Sequence, residues 1–343
     1  MLQQTMRLIG TIAASIFGAI LLKTVLEKLA ALLIGSGLIT GHSGTDLFTG
    51  KWKIPVGPWA KHVFEWMRDS FSIVFDHLAA IFETLIDGIM AIFATPLDIS
   101  WITGAADYTP LYPPEYQPFI MTGFFLGISW FLQRRVSILL TVLLGLLYVF
   151  NQGYWKPTTE SLTLVISACV VCMSLGVPIG IAAAHRPRLY MAMQPILDLM
   201  QTLPTFVYLI PAIVFFGIGM VPGLIATVIF VLPAPIRLTH LGVSTTPQPL
   251  LEAARAFGAT PRQVLWKVEL PYALPQIMAG LNQTIMLSLS MVVIAALVGA
   301  NGLGVPVVRA LNSVNTALGF ESGMIIVVVA IVLDRMMRFG GSK

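Results

Sequence analysis

The sequence predicts an all-α, polytopic membrane helix bundle, with about seven or eight transmembrane helices and one amphipathic interfacial helix. Of its 343 residues, 57% are hydrophobic and only 10% are charged, and the mean hydropathy is +0.85. A water-soluble domain cannot hide that much apolar surface. The apolar residues also form continuous runs, whereas a membrane β-barrel requires alternation, so helices are the predicted spanning elements.

Apolar runs of spanning length recur through the last two thirds of the chain. A helical span needs about 20 mostly apolar residues, because the hydrocarbon core is about 30 Å thick and a helix rises about 1.5 Å per residue. We predict spans at 117–133, 136–151, 158–184, 203–218, 221–237, 277–298 and 322–338.

The basic residues predict the orientation of these spans. Lysine and arginine in short loops favour the cytoplasmic side of a membrane. Alternate threading places eleven of them on one side, whereas the opposite loops after the first span contain only Lys156 and Arg309. We therefore expect the first side, and with it the C-terminus, to be cytoplasmic. The segment before residue 117 then lies outside.

That segment begins with an apolar run from Leu8 to Leu22. The run predicts an eighth span that enters from the cytoplasm. The alternative is a cleaved signal peptide, although no clear small-x-small cleavage site follows the run. Four prolines within 103–118 predict an extended outer linker.

A helix is predicted between Phe71 and Phe93, where Asp76, Glu83 and Asp87 share one face. Its other faces are apolar, which is typical of an amphipathic helix in the outer interface. The alternative is an ordinary span whose polar stripe packs inside the bundle.

The sequence indicates neither a catalytic nor a metal-binding cluster. Its five histidines are scattered, and Cys169 and Cys172 lie in an apolar run, where we expect small buried hydrophobic residues. The net charge is +4, but the basic residues are dispersed, which argues against nucleic acid as a partner. No lysine or carboxylate lies in the middle of the five core spans, which argues against a proton- or sodium-coupled carrier.

The longest inner loop, 238–276, predicts two short helices joined at a glycine. Thr246-Pro247 is a helix start, and Gly258 ends that helix because glycine adopts the left-handed conformation without steric cost. Thr260, with Gln263 three residues later, predicts a capping box for a second helix, which we expect Pro271 to stop.

This helix-glycine-helix elbow is predicted to have an apolar face. Such a projection is suited to a groove of a partner protein. The predicted face consists of Leu251, Ala254, Phe257 and Leu265.

The loop carries a family motif. Glu252-Ala253-Ala254 is followed by Gly258 six residues after Glu252, and by Leu270-Pro271 twelve residues beyond that glycine. In this order and place the residues resemble the "EAA" loop of permease subunits of binding-protein-dependent ATP-binding cassette importers. Val268 stands where that family often has isoleucine.

The flanks of the loop narrow the resemblance. The segments 200–243 and 282–304 resemble permeases of the glycine betaine, proline betaine and choline importers, with Asn301 in place of a family glycine. The resemblance implies a bacterial inner-membrane protein whose residues 158–338 adopt the type I importer permease fold, with 238–276 as cytoplasmic coupling loop. We expect 117–157 to be an accessory transmembrane hairpin, and 1–116 to hold the N-terminal span, the amphipathic helix and the linker.

The resemblance also implies partners. The chain has no G-x-x-x-x-G-K-[ST] phosphate loop, and in the family ATP and Mg are bound by separate subunits, so we expect no enzyme activity and no cofactor on this chain. Two copies of the chain would pair with two ATP-binding subunits and an external substrate-binding protein, amid membrane lipid. Contact with the ATP-binding subunit is expected at Glu252, Ala253, Ala254, Arg255, Gly258, Leu270 and Pro271.

The substrate class implied by the resemblance is a quaternary ammonium or methylated amine, namely glycine betaine, proline betaine, choline, carnitine or trimethylamine N-oxide. Aromatic faces attract such cations. Candidates for the translocation pathway are Phe206, Tyr208, Asn282, Ser288, Ser290 and Met291. Aromatic and methionine residues in an apolar helix are more often part of the packed core than of a binding site. A permease for another small polar solute and a stand-alone secondary transporter or channel remain as alternatives.

Overall fold

The structure, a computed structural model, describes residues 23–25, 28, 56–94 and 116–337. The predicted N-terminal span at 8–22 and nearly all of the linker at 103–118 lie outside the described residues. The chain divides into two compact units, Met1–Trp66 and Met67–Lys343.

The described residues are helical apart from short turns. The helices are α1 (Val56–Ser70), α2 (Ser72–Ala94), α3 (Gln117–Gln133), α4 (Val136–Asn151), α5 (Trp155–His185), α6 (Pro187–Thr202), α7 (Thr205–Phe216), α8 (Met220–Val231), α9 (Pro233–Ser244), α10 (Gln248–Ala256), α11 (Pro261–Val264), a π-helical segment (Leu265–Glu269), α12 (Leu270–Ala296), α13 (Gly304–Ser313) and α14 (Thr316–Met337).

Four helical stretches of the described part are long and apolar enough to cross a membrane. They are Trp155–His185, Met220–Ser244, Pro261–Ala296 and Thr316–Met337. They contain the predicted spans at 158–184 and 221–237 and most of those at 277–298 and 322–338. The spans predicted at 117–133 and 136–151 are present as the helices α3 and α4, but with 17 and 16 residues neither is among these four stretches.

The stretch 203–218 differs from the prediction of a straight span. Only Thr205–Phe216 is helical there, and at about 1.5 Å per residue its 12 residues are too short to cross alone. Helices α6 and α7 are long and apolar enough to cross a membrane only when taken together. The angle between them is 96°. The bend falls at Leu203 and Pro204, because both residues have extended backbone dihedral angles.

The helix predicted at 71–93 is confirmed as α2. Ile86 and Phe93 are buried, and the Phe75 ring stacks on that of Phe215 with centroids 4.5 Å apart, so the apolar side of α2 packs on the bundle. The polar stripe that begins at Asp76 is exposed on the surface of the chain.

The centre of the bundle is formed by α5, α9 and α12, which make the most extensive helix contacts. Glycine residues allow these helices to approach one another closely. A Cβ built on Gly176 would lie 2.8 Å from Pro235 Cγ, and one on Gly180 would lie 2.7 Å from the Ile236 carbonyl oxygen. Lipid is as apolar as a leucine side chain, so close van der Waals packing of this kind holds membrane helices together.

A buried turn after α12 fixes the other end of α5. The Leu303 amide donates to Ser161 Oγ at 2.8 Å, across 142 residues of sequence. Gly302 has a φ of +128°, and a Cβ there would lie 2.4 Å from Ser161 Oγ. The turn therefore needs glycine both for its backbone conformation and for space. The two cysteines are free and buried, as predicted.

Candidate functional site

The predicted elbow is present, and we use the name for residues 246–270. Its first helix, α10, begins at Gln248, one residue later than predicted, because Pro247 is the N-cap residue with an extended conformation. Pro249 lies in the first helical turn, where a missing amide costs no hydrogen bond. No residue of α10 is buried, so the helix projects from the bundle.

Gly258 ends this helix by a Schellman motif, as its position predicted. Its φ is +79°. The Gly258 amide donates to the Arg255 carbonyl oxygen at 2.9 Å, and the Ala259 amide donates to that of Ala254 at 3.0 Å. These are the two bonds that close a helix through a left-handed residue.

The predicted capping box of the second helix is confirmed. Thr260 Oγ1 accepts from the Gln263 amide at 3.4 Å, and Gln263 Oε1 accepts from the Thr260 amide at 2.8 Å. Pro261 occupies the first turn. Two otherwise unpaired amides at the start of α11 are thereby satisfied.

The prediction that Pro271 stops this helix is wrong. Helix α11, the π-helical segment and α12 form one continuous stretch, Pro261–Ala296. The Leu270 amide donates to the Leu265 carbonyl oxygen, five residues back, and Pro271 follows in the first turn of α12. Because the π turn restarts the hydrogen-bond pattern there, the missing amide and the ring of Pro271 are accommodated without a break.

The surface of the elbow combines charge with exposed apolar side chains. Glu252, Ala253 and Arg255 are exposed. Phe257 is 92% exposed and Trp266 is 64% exposed. The predicted apolar face therefore divides in two: Phe257 points outward, whereas its other members are half-buried against the elbow itself. These half-buried residues are Leu251, Ala254 and Leu265.

A buried carboxylate lies at the root of the elbow. Glu269, the last residue of the π-helical segment, is 6% exposed. Its Oε2 lies 2.9 Å from Nε2 of His185, the last residue of α5. The sequence shows an acidic residue directly before Leu270-Pro271. It does not indicate that the partner of this residue lies 84 positions away.

Two further contacts join α6 to α9 on the same side. Arg237 donates to Asp198 Oδ1 at 2.6 Å and to Gln201 Oε1 at 3.1 Å. The rings of Tyr190 and His240 stack, with centroids 3.7 Å apart and planes 4° apart. Together they fasten the first arm of the bent pair to the centre of the bundle.

The predicted pathway residues are only partly brought together. Tyr208 and Met291 pack in one buried cluster with Leu209, Ala226 and Val298. The Tyr208 hydroxyl donates to the Met200 carbonyl oxygen across the 96° bend.

The remaining candidates differ in exposure. Phe206 is 56% exposed on α7. On α12, Ser288 is buried, Asn282 is half-buried and Ser290 is exposed. Ser290 donates to the Met286 carbonyl oxygen of its own helix at 3.1 Å.

A cavity outside this set lies between α2 and the turn at 217–219. It has a volume of about 150 Å³ and is lined by Glu83, Asp87 and Phe216 among others. No predicted pathway residue lines it. Among the residues that the structure describes, no three His, Cys, Asp or Glu side chains are grouped so that they could hold a metal ion.

Comparison with known proteins supplies the family. The model of the family described as "Binding-protein-dependent transport system inner membrane component" matches residues 176–339. The glycine betaine transport system permease protein OpuAB of Bacillus subtilis is 42% identical over 286 residues, which are 83% of this chain and 94% of that protein. The glycine betaine/proline betaine permease ProW of Escherichia coli is 41% identical, over 72% of this chain and 75% of that protein.

Among solved structures, an inward-facing conformation of the MetNI methionine ABC transporter is similar with a TM-score of 0.47. It is 24% identical, over 52% of this chain and 92% of that chain. The family match includes α6 to α14 and the whole elbow. With the two permeases aligned over most of their length, this multi-pass membrane protein belongs to the binding-protein-dependent transport system inner membrane component family.

Proposed function

We propose that the chain is the membrane-spanning subunit of an ATP-driven importer that moves glycine betaine or a related methylated amine into the cytoplasm. The observation that carries the proposal is the elbow. It is a short helix with no buried residue, ended by a Schellman glycine and topped by the 92% exposed Phe257. An exposed aromatic of this kind is the usual anchor of a protein interface.

The partner that fits the elbow is a subunit that binds and hydrolyses ATP. We propose that Glu252 and Arg255 make polar contacts with it, that Ala253 and Ala254 allow close approach, and that Gly258 sets the angle of the projection. Leu270 and Pro271 join the elbow to α12. ATP and Mg would be held by that subunit, in two copies, and the permease would pair with a second copy of itself and receive solute from an external binding protein.

The substrate class follows from the relatives. Those with 41–47% identity are named for glycine betaine, proline betaine or carnitine, and a 39% identical relative from Pelagibacter ubique is named for trimethylamine N-oxide. All are compact methylated amines, which aromatic faces attract. We propose that the pathway passes beside α7 and α12, near Phe206, Tyr208, Asn282, Ser288, Ser290 and Met291.

The proposed topology places the chain in the bacterial inner membrane with the elbow and the C-terminus in the cytoplasm. We propose residues 158–338 as the permease core and 117–157 as an accessory hairpin. The packing of α3 and α4 against α14 supports a hairpin that braces the core rather than lining its centre.

Reconstitution tests this function. The chain is co-purified with its ATP-binding subunit in proteoliposomes, and uptake of labelled glycine betaine is measured with the external binding protein present. ATP-dependent accumulation is the expected result. Uptake that proceeds without the ATP-binding subunit would instead support a secondary transporter. Calorimetric titration of the binding protein with a panel of methylated amines identifies the solute, and a null result across the panel would remove the substrate class while leaving the importer.

A further inference from the structure

The contact at the root of the elbow contains a buried carboxyl group whose role the function above does not explain. Glu269 is 6% exposed, whereas the side chain of its partner His185 remains 46% exposed. A buried ion pair is often no more stabilising than a hydrophobic pair of similar volume. Stability alone therefore does not explain a carboxylate at this position.

The ring of His185 is oriented by its own helix. His185 Nδ1 lies 2.9 Å from the Ile181 carbonyl oxygen, and Nε2 lies 2.9 Å from Glu269 Oε2. A carbonyl oxygen only accepts, so Nδ1 donates to Ile181 and the ring is oriented by its own helix. This orientation leaves Nε2 2.9 Å from Glu269 Oε2, a close polar contact in which Oε2 accepts no hydrogen bond.

The position of the pair is where the elbow becomes a membrane helix. Glu269 ends the π-helical segment, and α12 begins at the next residue. Single π turns inside helices are rare and frequently lie at functional sites. Glu269 therefore connects the elbow sideways to the end of α5, besides the connection along the backbone into α12.

From His185 the contacts continue into the bent pair. Helix α6 begins two residues later and is fastened to α9 by the Tyr190–His240 stack and the Arg237–Asp198 ion pair. The Tyr208 hydroxyl then closes the bend onto Met200. A continuous set of contacts thus leads from the elbow to α7.

We propose that Glu269 and His185 are positioning residues that pass displacement of the elbow sideways to the end of α5, and so to the bent pair α6–α7. This inference rests on the proposed function, because the displacement comes from the ATP-binding subunit. In the assembled importer, loss of the Glu269–His185 contact uncouples ATP hydrolysis from solute transport without unfolding the permease.

The test compares two substitutions of similar volume at Glu269 in the reconstituted importer. Glu269→Met fills the space but removes the polar contact with His185 Nε2, whereas Glu269→Gln keeps a polar group of the same size beside Nε2. We expect solute moved per ATP hydrolysed to fall roughly tenfold in Glu269→Met, within the usual range of coupling between sites, and to stay within about threefold in Glu269→Gln. The thermal unfolding midpoint of Glu269→Met should not fall, because a buried carboxylate has been removed.

Two further variants complete the experiment. His185→Leu, at a half-exposed position, should reproduce the loss, and the Glu269→Met/His185→Leu double variant should lie within about twofold of either single variant. The control Glu65→Met makes the same substitution in the exposed Lys61–Glu65 pair and should change nothing.

Three results would overturn the inference: an unchanged transport ratio in Glu269→Met, equal losses in the methionine and glutamine variants, or losses that multiply in the double variant. If Glu269→Met does not fold, the amount of solute moved per ATP hydrolysed by His185→Leu tests the inference instead. Failure of the wild-type complex to accumulate solute would reject the proposed function itself and is thereby distinguished from these outcomes.

Discussion

Gly180 of α5 lies directly against the backbone of Ile236 in α9. A Cβ on Gly180 would be 2.7 Å from the Ile236 carbonyl oxygen and equally close to Thr239 Cβ. Neither neighbour is the free end of a flexible side chain, so the two helices would have to separate.

A bulkier residue at position 180 should therefore destabilise the bundle. We expect Gly180→Leu to cost about 1–3 kcal/mol or more, measured as a lower thermal unfolding midpoint of the detergent-purified protein. Gly123→Leu is the matched control, because a Cβ at Gly123 meets nothing within 4 Å. Equal midpoints for the two variants would contradict this packing.

The conformation of Gly258 can be tested separately from its surroundings. Its φ is +79° and a Cβ there meets nothing within 4 Å, so only backbone strain opposes substitution. Gly258→Val should destabilise the elbow conformation by about 1–2 kcal/mol through backbone strain. We expect solute uptake to fall roughly tenfold, while the amount of protein inserted in the membrane stays normal. Gly258→Asn should be better tolerated, since asparagine adopts the left-handed conformation. Transport at the wild-type level by Gly258→Val would refute the role of the Schellman turn.

Phe257 should anchor the ATP-binding subunit. Truncating a hot-spot residue at the centre of an interface costs about 2 kcal/mol or more. We expect Phe257→Ala to weaken association of the two subunits by at least roughly tenfold, measured by co-purification over a range of concentrations. Phe131, 76% exposed on α3, is the control. The anchor is wrong if Phe131→Ala and Phe257→Ala weaken association equally.

The bent pair should depend on the Tyr208 hydroxyl. Tyr208→Phe keeps the ring in its cluster but removes the donor to the Met200 carbonyl oxygen. We expect a lower maximal uptake rate with an unchanged affinity of the external binding protein for solute. Ser313→Ala, which removes an exposed hydroxyl that donates to a carbonyl oxygen of its own helix, should transport normally. If both variants behave like wild type, the bend is not part of the transport cycle.

Local signals in the sequence predicted most of the elbow correctly. Gly258, Thr260 and Gln263 act through neighbours within three or four residues, so their spacing alone specifies the turn and the cap. The prediction that Pro271 stops the helix is wrong because the rule that proline ends a helix assumes α-helical hydrogen bonding before the proline. The π turn that relieves the conflict has no recognisable sequence signal.

What the sequence could not reveal depends on contacts between distant segments. The apolar run at 203–218 has the composition of a span, but the chain bends by 96° before it, where the Tyr208 hydroxyl meets the backbone of the preceding helix. The Glu269–His185 pair likewise joins two helix ends that only the packing of α5 against α12 brings together.

Photo-crosslinking from position 257 in the intact importer is the most direct test of the elbow as the point where ATP hydrolysis is coupled to transport. A photoreactive phenylalanine analogue replaces Phe257 in cells that also produce the ATP-binding and external binding proteins, and the same analogue at position 131 serves as control. We predict an adduct with the ATP-binding subunit from position 257 alone. No such adduct, or an adduct with the external binding protein, would contradict the account.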